Sequence, residues 1–308
     1  MSVRVWCLGD AVVDLLPEKP GHLMQCPGGA PANVAVGIAR LQGNSAFIGR
    51  VGADPFGEFM RQTLREENVD TRYMIADSQH RTSTVVVGLD VQGERSFTFM
   101  VRPSADLFLE PSDLPEFQRG EWLHCCSIAL AAEPSRTATL TAMKQIRAAG
   151  GHVSFDLNLR EDLWSDPALL HAVVNEALSH TDVAKFSDEE LDFLCPGQEP
   201  AVSLPQLAKR FGIRLLLVTR GREGVIACYQ GEITHHATTP VDSVDTTGAG
   251  DAFVAGLLWV LATSGLPADE SKLSICLATA QRCGALATTA KGAMTALPWL
   301  HQLDNLAG

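Results

Sequence analysis

The residues best suited to chemistry are 244–253, which read VDTTGAGDAF. Gly248 and Gly250 allow a tight turn, and the apolar run that follows predicts a helix whose first N–H groups and positive dipole end face the same spot. A phosphate group fits such a spot. Asp251 stands beside it, where its charge would repel an anion that was only being stored. We therefore interpret Asp251 as a general base that takes a hydroxyl proton while the N–H groups hold a phosphoryl group in transit.

An ordinary helix start is the alternative interpretation of this segment, because Asp and Thr are favoured N-cap residues. Two glycines, two aspartates and two threonines within residues 245–251 exceed what a cap needs. Two familiar phosphate patterns are absent from the sequence. There is no G-x-x-x-x-G-K followed by Ser or Thr, and residues 248–250 lack the third glycine and the early strand of a dinucleotide fingerprint.

The composition indicates one large folded domain, residues 1–308, because 46% of the residues are hydrophobic and only 19% are charged. A net charge of −12 disfavours nucleic acid and anionic membranes as partners, since both are bound chiefly through Lys and Arg. An acidic protein that binds a nucleotide must rely on helix N-termini, a bound Mg²⁺ and a few placed basic side chains.

The eight cysteines show no C-x-x-C pair, and we expect buried or free thiols. His124, Cys125 and Cys126 are consecutive, so on a strand they would point to opposite faces and could not share a metal. No secretory signal pattern precedes residues 3–8, and the longest apolar run, 252–262, is too short to span a bilayer. We expect a cytoplasmic protein without a membrane contact.

Short β-branched runs alternate with longer helical patterns, which is typical of an α/β fold with a parallel sheet covered by helices. The predicted strands are 3–8, 46–51, 122–125, 153–157, 183–186 and 213–219. The predicted helices are 32–41, 56–67, 135–149, 169–178 and 252–263. Ligands of such sheets bind at the carboxyl ends of the strands.

One part of the chain breaks this alternation. Residues 83–89 and 95–101 flank a glycine turn and predict a hairpin, and residues 12–16 with 22–25 predict another. Together they would form a small antiparallel sheet outside the main one. Strands so exposed need something to cover, so we expect a lid, formed by about 12–25 and 83–103, that closes over the substrate and that a homodimer could share.

Polar residues follow the first predicted strand at the edge where sites form. Asp10 and Asp14 could accept hydrogen bonds from sugar hydroxyls, although solvated loop residues look the same in a sequence. Gly28 and Gly29 lead into the next helix, where Asn33 can both donate and accept, which suits a polyol. A well-formed strand-to-helix connection would explain these last residues equally well.

Three later strands end in the same way. Asn158 and Arg160 follow residues 153–157, and Arg160 could neutralise phosphate charge. Lys185 opens the run KFSDEE, and Thr219 opens the run TRGREG. Each signal is weak alone, but polar ends on four strands of one sheet edge are stronger together.

The chain resembles the ribokinase-like (PfkB) family of carbohydrate kinases over essentially its whole length. Gly28-Gly29 with Asn33 and Ala35 resembles the sugar-side motif of that family, and residues 245–251 resemble its catalytic motif. Within the family, residues 9–14, 93–97 and 102–106 are most similar to bacterial fructokinases of the sucrose-utilisation type. The resemblance implies a three-layer α/β/α fold with a mostly parallel central sheet and a small β-sheet lid.

The resemblance also implies a transfer from ATP to fructose that gives fructose 6-phosphate, with Asp251 as the base. The implied anion hole is Gly248, Ala249 and Gly250. The expected sugar-binding residues are Asp10, Asp14, Gly28, Gly29, Asn33, Phe97, Phe99 and Arg160. The expected nucleotide-binding residues are Asn158, Lys185, Ser187, Thr219, Gly221, Gly224, Gly250 and Gln281.

Two metal ions follow from the same resemblance. Glu190 matches the acidic end of the family's Asn-x-x-Glu motif, which organises Mg²⁺, whereas the Asn position is Ser187 here and its side chain is too short to assume a contact. A K⁺ ion beside the anion hole would be held mostly by backbone carbonyls. The positions implied for it are Asp245, Thr247, Ala287, Ala290, Gly292 and Ala296.

Two alternatives stay open. A kinase of this fold could act on ribose, aminoimidazole riboside or another furanose or nucleoside, because the motifs do not fix the ring substituents. A sugar or nucleotide sensor without turnover would use the same pockets. The presence of Asp251 argues against a sensor, because losing that charge would relieve the repulsion of the bound anion.

Overall fold

The computed structural model of the chain describes residues 3–89, 95–164 and 166–304. Its strands are β1 (Val5–Leu8), β2 (Val12–Lys19), β3 (His22–Gly28), β4 (Ser45–Gly52), β5 (Asp70–Asp77), β6 (Thr84–Leu89), β7 (Arg95–Phe99), β8 (Trp122–Cys126), β9 (His152–Asp156), β10 (Val183–Ser187), β11 (Leu215–Thr219), β12 (Val225–Tyr229) and β13 (Glu232–His236). Its α-helices are α1 (Ala30–Arg40), α2 (Pro55–Glu66), α3 (Ser135–Ala148), α4 (Pro167–Leu178), α5 (Asp188–Leu194), α6 (Pro200–Phe211), α7 (Ala249–Ser264), α8 (Glu270–Ala287) and α9 (Leu300–Asp304).

The central sheet has nine strands in the order β13-β12-β11-β10-β9-β8-β1-β4-β5. All pairings from β5 to β11 are parallel, whereas β12 and β13 add an antiparallel hairpin at one edge. The prediction of a mostly parallel sheet is confirmed. The carboxyl ends of β1, β8, β9, β10 and β11 therefore meet at one edge, as the polar strand ends required.

Helices cover both faces of this sheet because successive strand residues point to opposite sides. On β11, Leu215 and Leu217 belong to the hydrophobic cluster that includes Phe253 of α7, while Leu216 and Val218 belong to the cluster that includes Met143 of α3. The two clusters make the three layers of an α/β/α fold. None of the helices in the described ranges is long and apolar enough to cross a membrane.

A second sheet, in the order β3-β2-β6-β7, lies outside the central one. Both predicted hairpins are present and antiparallel, but β2 and β6, which join them, run parallel. The expectation of a purely antiparallel sheet is corrected in this one pairing, because the two hairpins meet through their first strands. Residues 90–94, which include the predicted turn, lie outside the described residues.

The predicted helices and strands differ from the observed ones by at most three residues at either end. Differences of three residues occur at the ends of β2 and β3 and at the start of α7, which begins at Ala249 where the pattern predicted 252. Apolar periodicity could not detect that first turn, since Ala249-Gly250-Asp251 has no apolar stripe. All eight cysteines are free thiols and six of them are buried, as expected.

Candidate active site

The first turn of α7 contains the residues of the predicted anion site. Gly248, the N-cap, has a φ of 78°, and a Cβ added to it would lie 2.8 Å from the Cα of Ala293, so only glycine fits. The N–H of Ala249 donates to the carbonyl of Thr246 at 3.2 Å. The N–H groups of Gly250 and Asp251 belong to the turn in which a helix offers no acceptor of its own. These two are therefore the main donors for an anion.

The Asp251 carboxylate lies on this turn and points toward α1. Asn33 donates to its Oδ2 from Nδ2 at 2.7 Å, which joins residues 218 positions apart. The pKa of Asp251 is raised to about 7, mainly by burial; the negative charge of Asp156 acts in the same direction, whereas the Asn33 hydrogen bond and the positive charges of Lys185 and Arg160 lower it. A carboxylate that titrates near neutral pH can accept a proton and later release it.

Unpaired acceptors surround this carboxylate on the sugar side. Asp10 follows β1, is 5% exposed, and its Oδ1 is buried without a hydrogen-bond partner. Oδ1 of Asn33 is buried and unpartnered as well. Burial raises the pKa of Asp10 to about 7, with the charges of Asp106 and Asp251 adding to the effect. Unpartnered buried acceptors are costly, which indicates that a donor such as a ligand hydroxyl is expected there.

The glycines before α1 bring that helix against the end of β1. Gly29 has a φ of 99°, and a Cβ on it would lie 2.5 Å from the carbonyl oxygen of Asp10. A Cβ on Gly28 would lie 2.4 Å from Oδ2 of Asp14. Both residues are therefore needed for this close approach, and Asp14 is placed beside it. The structure brings these four predicted sugar residues together with Asn33.

The lid contributes Phe99, on β7, to a separate cavity. The ring of Phe99 lies 4.8 Å from the guanidinium of Arg102, and both line a cavity of about 330 Å³ with Asp162 and Leu163. Arg160, just before these last two residues, is exposed, and its charge lowers the pKa values of Asp10 and Asp251. Phe97 pairs with Val87 in the lid hairpin, and its side chain lies outside the part that the structure describes.

A second cavity, of about 400 Å³, opens on the other side of the α7 turn. Four residues predicted to bind the nucleotide line it, together with Gly250: Thr219, Gly221, Gly224 and Gln281. Nε2 of Gln281 donates to the carbonyl of His236 at 2.8 Å. The opposite wall, residues 238–246, was not predicted, because this segment has neither periodicity nor a motif before Asp245.

Comparison with known proteins decides the family. Residues 4–300 match the pfkB family carbohydrate kinases. The chain belongs to this family. It is 62% identical to a fructokinase of Salmonella typhimurium and 60% identical to one of Escherichia coli, over 305 residues that cover 99% of each protein. The predicted resemblance is confirmed.

Solved structures agree with that assignment. A fructokinase double mutant from Vibrio cholerae O395, in fructose, ADP and potassium ion bound form, matches with a TM-score of 0.94 and 53% identity, covering 100% of this chain and 99% of that one. An aminoimidazole riboside kinase from Salmonella enterica, complexed with aminoimidazole riboside and an ATP analog, matches with a TM-score of 0.91 and 38% identity, covering 99% and 100%. The ribokinase-like fold is thereby shown.

Glu190, the residue expected at the magnesium site, belongs to a helix cap. Ser187 is the N-cap of α5 and accepts from the N–H of Glu190, whose Oε2 accepts from the N–H of Ser187 at 2.8 Å. Oε1 of Glu190 accepts from the N–H of Leu159 at 2.8 Å. Ser187 therefore has a defined contact, which the S-x-x-E spacing of a capping box could have predicted. The carboxylate of Glu190 is fixed between two loops.

Asn158, Lys185 and Ser187 stand apart from the cavity that the other nucleotide residues line. Asn158 contributes its carbonyl, which accepts from Oγ of Ser127 at 3.3 Å. Lys185 is 9% exposed and its Nζ lies 3.0 and 3.1 Å from the two carboxylate oxygens of Asp156. Nζ is also 3.6 Å from the point where a Cβ on Gly250 would lie, which places the ammonium beside the anion site.

Three of the six residues implied for potassium are joined by hydrogen bonds. Asp245 accepts from the N–H and Oγ1 of Thr247 at 3.0 and 2.7 Å and from the N–H of Gly292 at 2.9 Å. Gly292 has a φ of 90°, and the N–H of Asp245 donates to the carbonyl of Thr288. Ala287, Ala290 and Ala296 lie on the same segment. The structure thus brings Asp245, Thr247 and Gly292 together, and K⁺ binding there stays a prediction.

Proposed function

We propose that the chain is an ATP-dependent fructokinase that converts fructose and ATP to fructose 6-phosphate and ADP. The observation that carries this proposal is the Asp251 carboxylate, held by Asn33 at the first turn of α7 between the unpartnered sugar-side acceptors and the nucleotide cavity. Fructokinases at 60–62% identity over almost the entire chain support fructose as the acceptor.

The chemistry follows from this placement. The fructose hydroxyl oxygen forms a bond to the γ-phosphorus of ATP, the bond from that phosphorus to the β–γ bridging oxygen breaks, and ADP leaves with the electron pair. The hydroxyl proton passes to Asp251. The N–H groups of Gly250 and Asp251 stabilise the charge on the transferred group. The transition state of such transfers is loose in most analyses, so a carboxylate of modest basicity is sufficient.

The remaining roles follow from position. Asp10, Asp14, Asn33 and the backbone of Gly28 and Gly29 would hold the sugar, with Phe97, Phe99 and Arg160 closing over it. Thr219, Gly221, Gly224 and Gln281 would hold the nucleoside and its first phosphates. Asn158, Lys185 and Ser187 would serve the phosphate end.

Metal ions complete the proposal. When bound, Mg²⁺ would neutralise phosphate charge and K⁺ would strengthen the field at the anion site. Within the described residues there is no group of three or more His, Cys, Asp or Glu that could hold a metal. Glu190 alone suits Mg²⁺, which keeps most of its waters and binds substrate phosphates. The Asp245 loop suits K⁺. Exchanging K⁺ for a bulky organic cation should lower the rate, and an unchanged rate would contradict the proposed K⁺ site.

The proposal is tested by measuring ADP release with fructose, ribose, glucose, mannose, adenosine and aminoimidazole riboside as acceptors. We expect kcat/KM to be highest for fructose. Aminoimidazole riboside is the second candidate, because a kinase of that compound from Salmonella typhimurium is 40% identical over 98% of this chain. A higher kcat/KM for any acceptor other than fructose would overturn the substrate, and no ADP release with any of them would favour a sensor.

We also infer a homodimer that forms through the lid. Leu23 and Met24 on β3 are 52% and 45% exposed, and Met100, just after β7, is 60% exposed. Large apolar side chains on an outer sheet indicate a surface that is covered. Sedimentation should give a dimer that Leu23→Asp disrupts, whereas Ile275→Asp, which changes an equally exposed residue on α8, should leave it intact. A monomeric wild type would refute the inference. Free thiols suit a reducing compartment, from which we infer a cytoplasmic location.

A further inference from the structure

A buried ion pair lies directly behind the anion site. Lys185 on β10 and Asp156 on β9 are neighbours in the register of the central sheet. Both are buried, with Asp156 only 2% exposed, and both oxygens of its carboxylate accept from the ammonium, at 3.0 and 3.1 Å. Burying two charges costs free energy, which their attraction repays only when the two groups are held in good geometry. The fold therefore holds this ammonium in one place.

That place is the start of α7. The ammonium nitrogen lies 3.6 Å from where a Cβ on Gly250 would be, so it faces the backbone that presents the anion-binding N–H groups. An ammonium has three N–H donors, and the two hydrogen bonds to Asp156 leave one for an anion in front of Gly250. Negative charges raise the pKa of Lys185 despite its burial, so it stays protonated at neutral pH.

The catalytic carboxylate competes for the same ammonium. Asp251 lies close enough to Lys185 for each charge to alter the pKa of the other. A direct salt bridge between them would hold Asp251 in its ionised form and block it with a cation. The Lys185 ammonium instead hydrogen bonds to both oxygens of Asp156, and Asp251 accepts its hydrogen bond from Asn33.

We propose that Asp156 is a positioning residue for phosphoryl transfer, which holds the Lys185 ammonium beside the transferred group and away from Asp251. The proposal rests on the proposed kinase activity and adds a role for a residue outside the expected sugar and nucleotide sets. Lys185 neutralises charge on the phosphoryl group, while Asp156 keeps the proton acceptor unblocked.

The groups near Asp251 determine the direction in which each substitution should move the pKa of Asp251. They come from six elements or their ends: Asn33 from α1, Asp10 after β1, Cys126 from β8, Asp156 from β9, Arg160 from the loop after β9 and Lys185 from β10. Asp156 raises the pKa of Asp251 and Lys185 lowers it. Removing one charge or the other must therefore move the acid limb of the pH–rate profile in opposite directions.

The experiment measures kcat, both KM values and the pH dependence of kcat/KM for Asp156→Asn, Lys185→Met and the double variant. In Asp156→Asn we expect kcat to fall about 10- to 100-fold, the KM for fructose to change less than two-fold, and the acid limb to move to lower pH. In Lys185→Met the acid limb should move to higher pH. The double variant should be no slower than Lys185→Met, because Asp156 acts through Lys185.

A matched control is the surface pair Lys144–Glu176, which has the same 3.0 Å separation but is half exposed. Glu176→Gln should change neither kcat nor the profile. Circular dichroism checks folding, and if Asp156→Asn does not fold, Lys185→Arg and Lys185→Met replace it. Arg should keep the wild-type acid limb and Met should not.

Two results would overturn the proposal: an Asp156→Asn enzyme with wild-type kcat, or acid limbs that move the same way in both single variants. Either would show that the pair only supports packing. If fructose proves not to be the acceptor, the same profiles are measured with the best acceptor, so failure of the substrate assignment does not decide this inference.

Discussion

The expected sugar end of this site, around Asp10 and Asp251, consists of different chemical groups from the expected nucleotide end, around Gln281. At the sugar end the ligand would meet buried side chains, with carboxyl groups at Asp10 and Asp251 whose pKa values are raised to about 7. At the nucleotide end the cavity wall consists largely of glycine backbone, small polar groups and apolar side chains, with Gln281 as its one amide and Arg222 as its one charged side chain. We therefore expect sugar recognition to depend mainly on buried carboxyl groups, and nucleotide binding to depend mainly on the shape of the backbone.

This difference teaches where substitutions should matter. Changing a side chain at the sugar end removes a buried hydrogen-bonding group and should affect one substrate strongly. In the nucleotide cavity, away from Lys185 at the phosphate end, we expect that a side chain can be removed at little cost, whereas a change in backbone shape cannot be absorbed. Four substitutions test this contrast, in decreasing order of expected effect.

Asp251→Asn should have the largest effect, because the amide cannot take the hydroxyl proton. We expect kcat to fall by a factor of about 10³ or more, equivalent to roughly 4 kcal/mol, with little change in nucleotide affinity. Steady-state kinetics and calorimetric titration with ADP measure both. A kcat within ten-fold of the wild type would show that Asp251 is not the general base.

The same variant has a distinctive effect on stability. The pKa of Asp251 is raised in the folded protein, so the folded state binds more protons than the unfolded state between about pH 4 and pH 7, and stability falls as the pH rises through that window. The amide of the Asp251→Asn variant carries no charge, so at pH 8 the ligand-free variant should melt a few degrees above the wild type, about 1–2 kcal/mol more stable. The difference should vanish near pH 4; a variant that melts lower at pH 8 would contradict the pKa shift.

Gly248→Ala tests the backbone at the nucleotide end. Its Cβ would have to fit within 2.8 Å of the Cα of Ala293 at a φ of 78°, so the loop must move and the anion-binding turn with it. We expect kcat to fall about 10- to 100-fold, with the KM for fructose preserved. Gly265→Ala is the matched control, because it has the same φ of 78° at the other end of α7 and no atom within 4 Å. Equal losses of kcat in both variants would show that backbone strain at a positive φ, and not the contact with Ala293, causes the effect.

Asp10→Asn tests a buried carboxylate at the sugar end. The substitution replaces the carboxyl group, whose Oδ1 has no partner, by an amide that has only one acceptor oxygen. We therefore expect the KM for fructose to rise about ten-fold, with the KM for ATP unchanged. Asp182→Asn changes another buried aspartate, one that accepts from the N–H of Val153 at the opposite edge of the sheet. It should lower stability and leave both KM values alone. A parallel rise in both KM values for Asp10→Asn would weaken the contrast.

Gln281→Ala should have the smallest effect. It removes the hydrogen bond to the carbonyl of His236 and one wall of the nucleotide cavity, but no charge. We expect a two- to five-fold rise in the KM for ATP and no change in kcat, measured at saturating fructose. A loss as large as that of Asp10→Asn would show that the nucleotide end also depends on side chains.

The sequence predicted best the features that are local. The motif around Asp251 predicted the start of a helix within ten residues, and the alternation of strands and helices placed Asp10, Lys185 and Thr219 at one sheet edge, because the carboxyl ends of parallel strands lie at the same edge. The capping box of Ser187 and Glu190 was equally local and was overlooked because the serine was compared with an asparagine.

Features that depend on register or on unpatterned backbone could not be predicted. The pairing of Asp156 with Lys185 requires two strands to be aligned to the residue, and a shift by one would point them to opposite faces. The wall at 238–246 has no period of its own, and β12 and β13 are too short for their direction to show in the sequence. The contact of Asn33 with Asp251 spans 218 positions and follows only from the complete fold.

That last contact also determines what happens when the polypeptide is divided. A cut in the exposed turn 196–199, between α5 and α6, leaves Asn33 in one fragment and Asp251 in the other. Neither piece would catalyse alone, and ADP would appear only after the two reassemble through the central sheet. If each fragment were fused to one of two other proteins, turnover would report that those two proteins bind each other.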